Sequence, residues 1–540
     1  MENKFLSLLY PSEESRNFHQ LSDHLPDISE EVCEQLGLTE ILPLRSCSMT
    51  EFFTSSPEVI KFRQETLSDM AEIPELKKTL SAVQPILSDI RELRALDKPG
   101  DSPADSYLYS ITEIELYVSC IQTLSDGLLP VRDRLHSRAF IELCDFIREV
   151  GESEYYSNLN KKLSALAAKV HEVRSVTVGV NLDGQFRPSS AGIISINSQQ
   201  FKSGKLLDKI LRLSFRNDSF TTIAELVPFE KNQSENRKEA LAGAFNSAIE
   251  DVLSSSVKGW RAVVGEYVME NTDFLLRLLP EIEFAVKGSD LAASLAARSG
   301  CSVCIPRIMP WQDKAFRAKE LYNPRVALAI SGETVTNDLE FDDNGRIYVL
   351  TGPNRGGKSV ITVALGAAQA MFQLGLPVPA ADAEISPVDG IFTHFPEGAD
   401  DTIDKGRLGE ECARLREIFD QVTENSLILL DESLSSTGAY EATYIASEIL
   451  CGFAVIGCRG IFSTHLHDLA AAVPEINEKS RRYGGVMTDT LVAGIESGKR
   501  SFKIYRAKPD GKSYAKDIAD KYGLSFDALS EKLAKKPRML

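Results

Sequence analysis

The chain has 540 residues, 43% of them hydrophobic and 26% charged, an ordinary balance for a globular protein with room for several domains. A net charge of −18 argues against a protein that coats nucleic acid non-specifically through clustered Lys and Arg, although a local basic surface would be invisible in that sum. Nine Cys, an odd number scattered from Cys33 to Cys458, do not make a disulfide framework and point to a cytoplasmic location. The N-terminal residues lack the apolar run of a signal peptide, no stretch reaches the ~18 apolar residues of a membrane span, and no membrane partner is expected.

From residue 1 to about 150 the pattern is helical. Between Glu58 and Leu93 apolar residues recur at threes and fours, as at Leu76, Leu80, Val83, Ile86 and Ile90, which predicts helices. Pro74 and Pro85 break that pattern into two or three pieces. Lys98 to Ser106, with Pro99, Gly100 and Pro103, reads as a loop. From about 174 to 230 the character changes: Ser175 to Leu182 alternates like a strand, Asn181 to Gly184 supplies a turn, and Ile193 to Ile196 suggests another strand. A small β-rich insert is expected there. The helical period returns from about 235 to 300, in a long segment mostly uninterrupted before Pro280.

After Pro306, short apolar runs alternate with helices. Ile347–Leu350, Leu427–Leu430 and Ile461–Phe462 are candidate buried strands, each followed by a polar or Gly-bearing turn, the signature of a parallel α/β sheet. The basic tail, Lys532, Lys535, Lys536 and Arg538, reads as a solvated helix end.

Three motifs carry chemistry. Gly352-Pro353-Asn354-Arg355-Gly356-Gly357-Lys358-Ser359 fits G-x-x-x-x-G-K-[ST] and follows a strand. Glycines let backbone N–H groups wrap phosphate oxygens, Lys358 charges the β- and γ-phosphates, Ser359 offers a hydroxyl to Mg²⁺, and the helix expected from about Gly357 to Leu374 adds its N-terminal partial charge. Val360 begins that helix and is counted with Gly352 to Ser359 in the nucleotide site. An apolar strand, Leu427 to Leu430, ends in Asp431 and Glu432: Asp431 suits Mg²⁺, directly or through water, and Glu432 suits a base acting on the attacking water. Ser463-Thr464-His465 follows the third strand, where His465 could meet the γ-phosphate or the water. A His465/His467 metal pair is conceivable, with surface histidines the plainer reading. Cys301 and Cys304 form a lone CxxC without a second pair at zinc spacing, and read as ordinary small residues.

These residues resemble the MutS family. TGPNRGGKSV (Thr351 to Val360) is close to its phosphate loop, LILLDESLSSTGAYEA (Leu427 to Ala442) to its Walker B region, and FSTHLHDL (Phe462 to Leu469) to its switch-His segment. Val378 to Arg407 resembles the stretch between loop and signature, and Ser513 to Leu524 the terminal dimerisation helices. The resemblance is dense from about 320 to 530; Phe62 to Met70 and Glu281 to Ala296 are fainter matches to the lever or core region. It implies a multidomain fold: a mainly α core/lever region over 1–305 with a β-rich insert, then an ABC-like α/β P-loop ATPase domain over 306–540. It also implies ATP and Mg²⁺ as cofactors, phosphate and metal contacts from Asn354, Gly356, Gly357, Lys358 and Ser359, a metal carboxylate at Asp431, catalytic roles for Glu432 and His465, a homodimer with composite sites, and a partner-facing loop at Ser435, Ser436 and Thr437.

Two positions depart from the family. The signature stretch Lys405 to Leu415 has no Ser or Thr, and no aromatic stands near Glu333 to Asn337 to stack on adenine. No mismatch-reading front domain is expected, and Phe140-Ile-Glu142, which matches its Phe-x-Glu wedge in letters, falls inside an apparent helix. The expected function is an ATP-driven dimeric clamp on duplex or junction DNA in repair or recombination, without Phe-x-Glu mismatch readout. The alternative is a nucleotide-switched scaffold gripping a protein or ribonucleoprotein.

Overall fold

The computed structural model describes residues 5–21, 27–96, 103–161, 175–185, 188–197, 224–226, 261–353, 355–395, 407–435, 437–496, 499–508, 523–526 and 529–530. Expectations for Asn354, Ser436, Lys405, residues 235–260, most of Ser513 to Leu524 and the basic tail lie outside them. The chain divides into two compact units: residues 1–72, 136–139 and 283–540 form one, and residues 73–135 and 140–282 the other.

The second unit is helical with a small sheet. Helix Pro74–Leu96 packs on helix Pro103–Leu128. Leu76, Leu80, Val83, Leu87 and Ile90 are fully buried, with Tyr117, Ile121 and Leu124 among their buried counterparts. Gly127 permits close approach, since a Cβ there would lie 2.0 Å from the Thr79 hydroxyl. Pro74 starts its helix as expected, but Pro85 does not end it. One lost N–H and a local kink cost about 3 kcal/mol, and the burial of four large side chains in the turns on either side outweighs that, at about 1.5–3 kcal/mol each. Three antiparallel strands follow, β1 (Ser175–Leu182), β2 (Pro188–Asn197) and β3 (Ala224–Leu226). Helix Arg261–Ala296 likewise continues through Pro280. Phe140 is fully buried within helix Arg138–Glu152.

The first unit holds two sheets. The smaller contains β4 (Arg307–Ile308), β5 (Phe316–Leu321), β6 (Asn337–Phe341) and β8 (Asp382–Ile385), in the order β4-β8-β5-β6. The larger contains β7 (Ile347–Thr351), β9 (Ile391–His394), β10 (Leu427–Asp431), β11 (Arg459–Ser463), β12 (Thr488–Glu496) and β13 (Lys499–Arg506), ordered β13-β12-β7-β11-β10-β9. All neighbours in it are parallel except the edge pair β12–β13. The strands β7, β10 and β11 are buried at every residue, as a sheet covered on both faces requires.

Side-chain alternation sorts the two faces. Leu429 points at Gly366 of helix Lys358–Gln373, while Ile428, Leu430, Val349 and Phe462 join the cluster formed with helices Arg407–Gln421, Ala439–Ile456 and Val473–Arg481. Helix Ala439–Ile456 corrects the reading that no stretch is long and apolar enough for a membrane. It has 18 residues at mean hydropathy 1.2, and its Ala442, Ala446, Leu450 and Phe453 are spent on this cluster.

The N-terminal segment grips the far end of helix Lys358–Gln373. Arg63, fully buried, donates to the carbonyls of Leu9, Phe52 and Leu374 and stacks 5.0 Å over Tyr10. Gln373 exchanges hydrogen bonds with Thr54 in both directions and bonds the Val388 backbone. Gly366 lets Leu36 approach, since a Cβ there would sit 2.5 Å from Leu36 Cδ2. The helix that starts at the phosphate loop is therefore anchored at its other end by residues more than 300 positions earlier, as the separations of 311 and 319 show.

Candidate functional site: a phosphate loop and two carboxylates

The register of the larger sheet brings the motifs together. Leu350 pairs with Ser463, Ser463 with Asp431, and His394 with Leu430, so the carboxyl ends of β7, β11, β10 and β9 form one row. In open α/β sheets that edge is where ligands bind. Gly352 to Gly357 leave it from β7 and turn into helix Lys358–Gln373, with Gly357 as N-cap at φ +94°. Gly352 has φ +141°, and a Cβ there would lie 2.7 Å from Ala493, so only Gly fits. Arg355, exposed on the loop, has φ +59°. Asn354 lies outside the described residues.

Lys358 is only 4% exposed and donates to the Gly352 carbonyl at 3.1 Å. Burial lowers its pKa, against the raising influence of Glu432 and Asp431. Burial raises the pKa of Asp431, countered in part by the hydroxyls of Ser359 and Ser463 that face it. Among the described residues its Oδ1 is buried without a hydrogen-bond partner. A hydroxyl at a helix start facing a carboxylate with a spare buried oxygen fits Mg²⁺, which keeps most of its waters and takes one or two protein oxygens plus phosphates. No group of three or more His, Cys, Asp or Glu suited to a metal occurs among the described residues.

Glu432 is half-buried with φ +48°, held by its N–H to the Ser463 carbonyl at 2.8 Å. Leu434 is also left-handed, at φ +63°. For non-Gly residues such backbone costs of order 1–3 kcal/mol each and persists only where neighbours enforce it. Thr464 is buried and donates its N–H to Leu350 O at 2.9 Å. His465 is exposed just beyond it, while His467 Nδ1 lies 3.3 Å from the Thr351 hydroxyl. Ser435 is exposed, Thr437 is half-buried and hydrogen-bonds Glu441, and Ser436 lies outside the described residues.

A cavity of about 270 Å³ opens beside the first turn of the phosphate-loop helix, lined by Asn323, Val326, Glu333, Gly357, Val360 and Phe502 among others. Phe502 and Tyr322 are the aromatics of this lining, to which Glu333–Asn337 contributes none. Phe502 comes from β13, with φ +57°, and its carbonyl accepts from Asn337, 165 residues away in the chain. Asn337 Oδ1 also accepts from Ile504 N–H at 2.7 Å. No local pattern marks this residue, because it reaches the cavity through strand pairing and a backbone outlier.

Comparison with known proteins agrees with this geometry. The family described as MutS domain V matches residues 348–493, and that described as MutS2 N-terminal domain matches residues 55–298. The chain belongs to the MutS family. The first MutS match runs from β7 into β12 and so takes in the whole row of strand ends. The chain is 32% identical over 220 residues to the DNA mismatch repair protein MutS of Chloroflexus aurantiacus, covering 39% of this chain and 22% of that protein. It is 39% identical over 151 residues to the DNA mismatch repair protein MutS of Prochlorococcus marinus, covering 27% and 16%. It is 35% identical over 191 residues to the probable DNA mismatch repair protein Msh6 of Drosophila melanogaster, covering 34% and 16%. The chain therefore spans about a fifth of the length of these MutS relatives.

Proposed function

We propose that this MutS-family protein is a cytoplasmic, Mg²⁺-dependent ATPase that acts on DNA as a homodimer. The observation that carries the reading is the meeting of the phosphate loop, Asp431 and Glu432 on one row of strand ends. The backbone N–H groups of Gly356 to Ser359 and the Lys358 ammonium receive the β- and γ-phosphates, with Arg355 and Val360 flanking them. Ser359 and Asp431 would hold Mg²⁺, and when bound it would supply positive charge to the phosphate oxygens. Glu432 takes the proton of a water that attacks the γ-phosphorus as the bond to the β-γ bridging oxygen breaks and ADP leaves. His465 serves as switch residue near the γ-phosphate. Ser435 and Thr437 face the second protomer.

The purine lies in the cavity beside Phe502. Base–aromatic stacking is worth about 1–3 kcal/mol per base, so Phe502→Ala raises the Kd for ATP roughly ten-fold and leaves the Kd for tripolyphosphate unchanged. Calorimetric titration with both ligands checks this. An equal loss for the two would remove Phe502 from the base site.

DNA is the proposed target, as duplex or junction. With a net charge of −18, any contact to phosphates must come from local Lys and Arg, and binding should fall steeply with salt. The test is binding to labelled homoduplex, mismatched duplex and four-way junction, with and without ATP, across salt concentrations, with light scattering for the dimer. ATP-dependent binding with a steep salt slope is expected. Absence of binding to all three at low salt, or a strict monomer with and without ATP, would overturn the DNA clamp.

A further inference from the structure

The row of strand ends contains one residue with no part in the phosphate loop, the carboxylates or the β11 segment: His394, last residue of β9. It pairs in register with Leu430, one residue before Asp431. It is 4% exposed, and its Nδ1 lies 2.7 Å from the hydroxyl of Ser433, itself 4% exposed. The Ser433 hydroxyl also approaches the His394 carbonyl at 3.4 Å. The arrangement that satisfies both contacts has Ser433 donating to that carbonyl and the imidazole Nδ1–H donating to the Ser433 oxygen.

Ser433 follows Glu432 directly. Glu432 and Leu434 are both left-handed, at φ +48° and +63°, so Ser433 sits between two backbone conformations that do not hold themselves. On one side Glu432 is tied by its N–H to Ser463 O. On the other, the tie is Ser433 to His394. Loss of that tie would leave the left-handed backbone at Glu432 and Leu434 with one support fewer.

We propose that His394 is a positioning residue for hydrolysis, which acts through Ser433 to hold the turn that aims Glu432. It does not touch nucleotide. The inference rests on Glu432 being the base. A displacement near 1 Å in a catalytic group costs up to a hundred-fold in rate, so His394→Ala in the full-length protein lowers kcat for Mg-ATP by roughly ten- to hundred-fold, with the Kd for ATP changed less than about two-fold. His394→Asn, whose amide N–H can donate where Nδ1 did, restores most of kcat. Ser433→Ala matches His394→Ala, and the double variant is no slower than either single one, as expected when both act through one contact.

Four outcomes overturn the proposal: a parental kcat in His394→Ala or in Ser433→Ala, a loss of ATP affinity that parallels the loss of rate, failure of His394→Asn to recover activity while folded, or full additivity in the double variant. Should His394→Ala fail to fold, Ser433→Ala and His394→Asn decide. Glu432→Gln is measured beside them. If that variant keeps the parental rate, the assignment of Glu432 fails. If it is inactive while His394→Ala is normal, only the positioning role fails.

Discussion

Lys358→Ala is expected to raise the Kd for ATP by on the order of 10²–10⁴ while leaving the nucleotide-free fold intact. Each charge-assisted hydrogen bond is worth about 1.5–3 kcal/mol, Lys358 is placed to make such contacts to two phosphates, and about 1.4 kcal/mol is ten-fold in affinity. Without nucleotide the ammonium has one described hydrogen bond, to Gly352 O, and its burial lowers its pKa. The sign follows from linkage. A base with a depressed folded pKa binds its proton more weakly than in the unfolded chain. Its penalty is fully present below the folded pKa and is relieved as pH rises toward the ordinary lysine range. At neutral pH, removing the charge therefore relieves a cost, and the melting midpoint of the nucleotide-free variant should fall by no more than about 2 °C. Nucleotide titration and calorimetry check both halves. A Kd within three-fold of the parent would take Lys358 out of the phosphate site.

Glu432→Gln is expected to bind ATP within a few-fold of the parent and to hydrolyse it 10²–10⁴-fold more slowly, the range general-base catalysis contributes. Gln keeps the shape of the side chain and the backbone bond from residue 432 to Ser463 O but cannot accept the proton. The half-buried side chain next to Asp431 makes this a test of chemistry more than of folding. Single-turnover hydrolysis, with bound nucleotide identified after quenching, separates trapped ATP from lost binding. A parental single-turnover rate would identify another base.

Much of the site is legible in the sequence because its chemistry is local. Gly352, Gly357, Lys358 and Ser359 lie within eight consecutive residues, and phosphate binding by backbone N–H groups needs that spacing whatever surrounds it. The strands β7, β10 and β11 are equally plain as short apolar runs ending in turn residues, since strands buried on both faces need no alternation. Helix limits are less so. Pro85 and Pro280 argue for breaks, and both helices run through them, because intrinsic propensity is a weak prior against core packing. Phe502 and His394 are not legible, because neither lies in a motif: one reaches its cavity through the β12–β13 hairpin, the other faces Ser433 through the β9–β10 register.

By itself, then, the sequence determined the spacing of the glycines, Lys358 and Ser359, the parallel strands that carry the loop and the helical character of the first part of the chain, because each rests on residue types within a few positions of one another. Tertiary structure alone decided which distant segments serve the site. Arg63, Gln373 and Thr54 tie the N-terminal segment to the end of the phosphate-loop helix, and Asn337 holds the strand that carries Phe502. Those contacts join residues 165 to 319 positions apart. They satisfy buried backbone carbonyls and amides wherever the fold happens to leave them, and no spacing along the chain announces such a need.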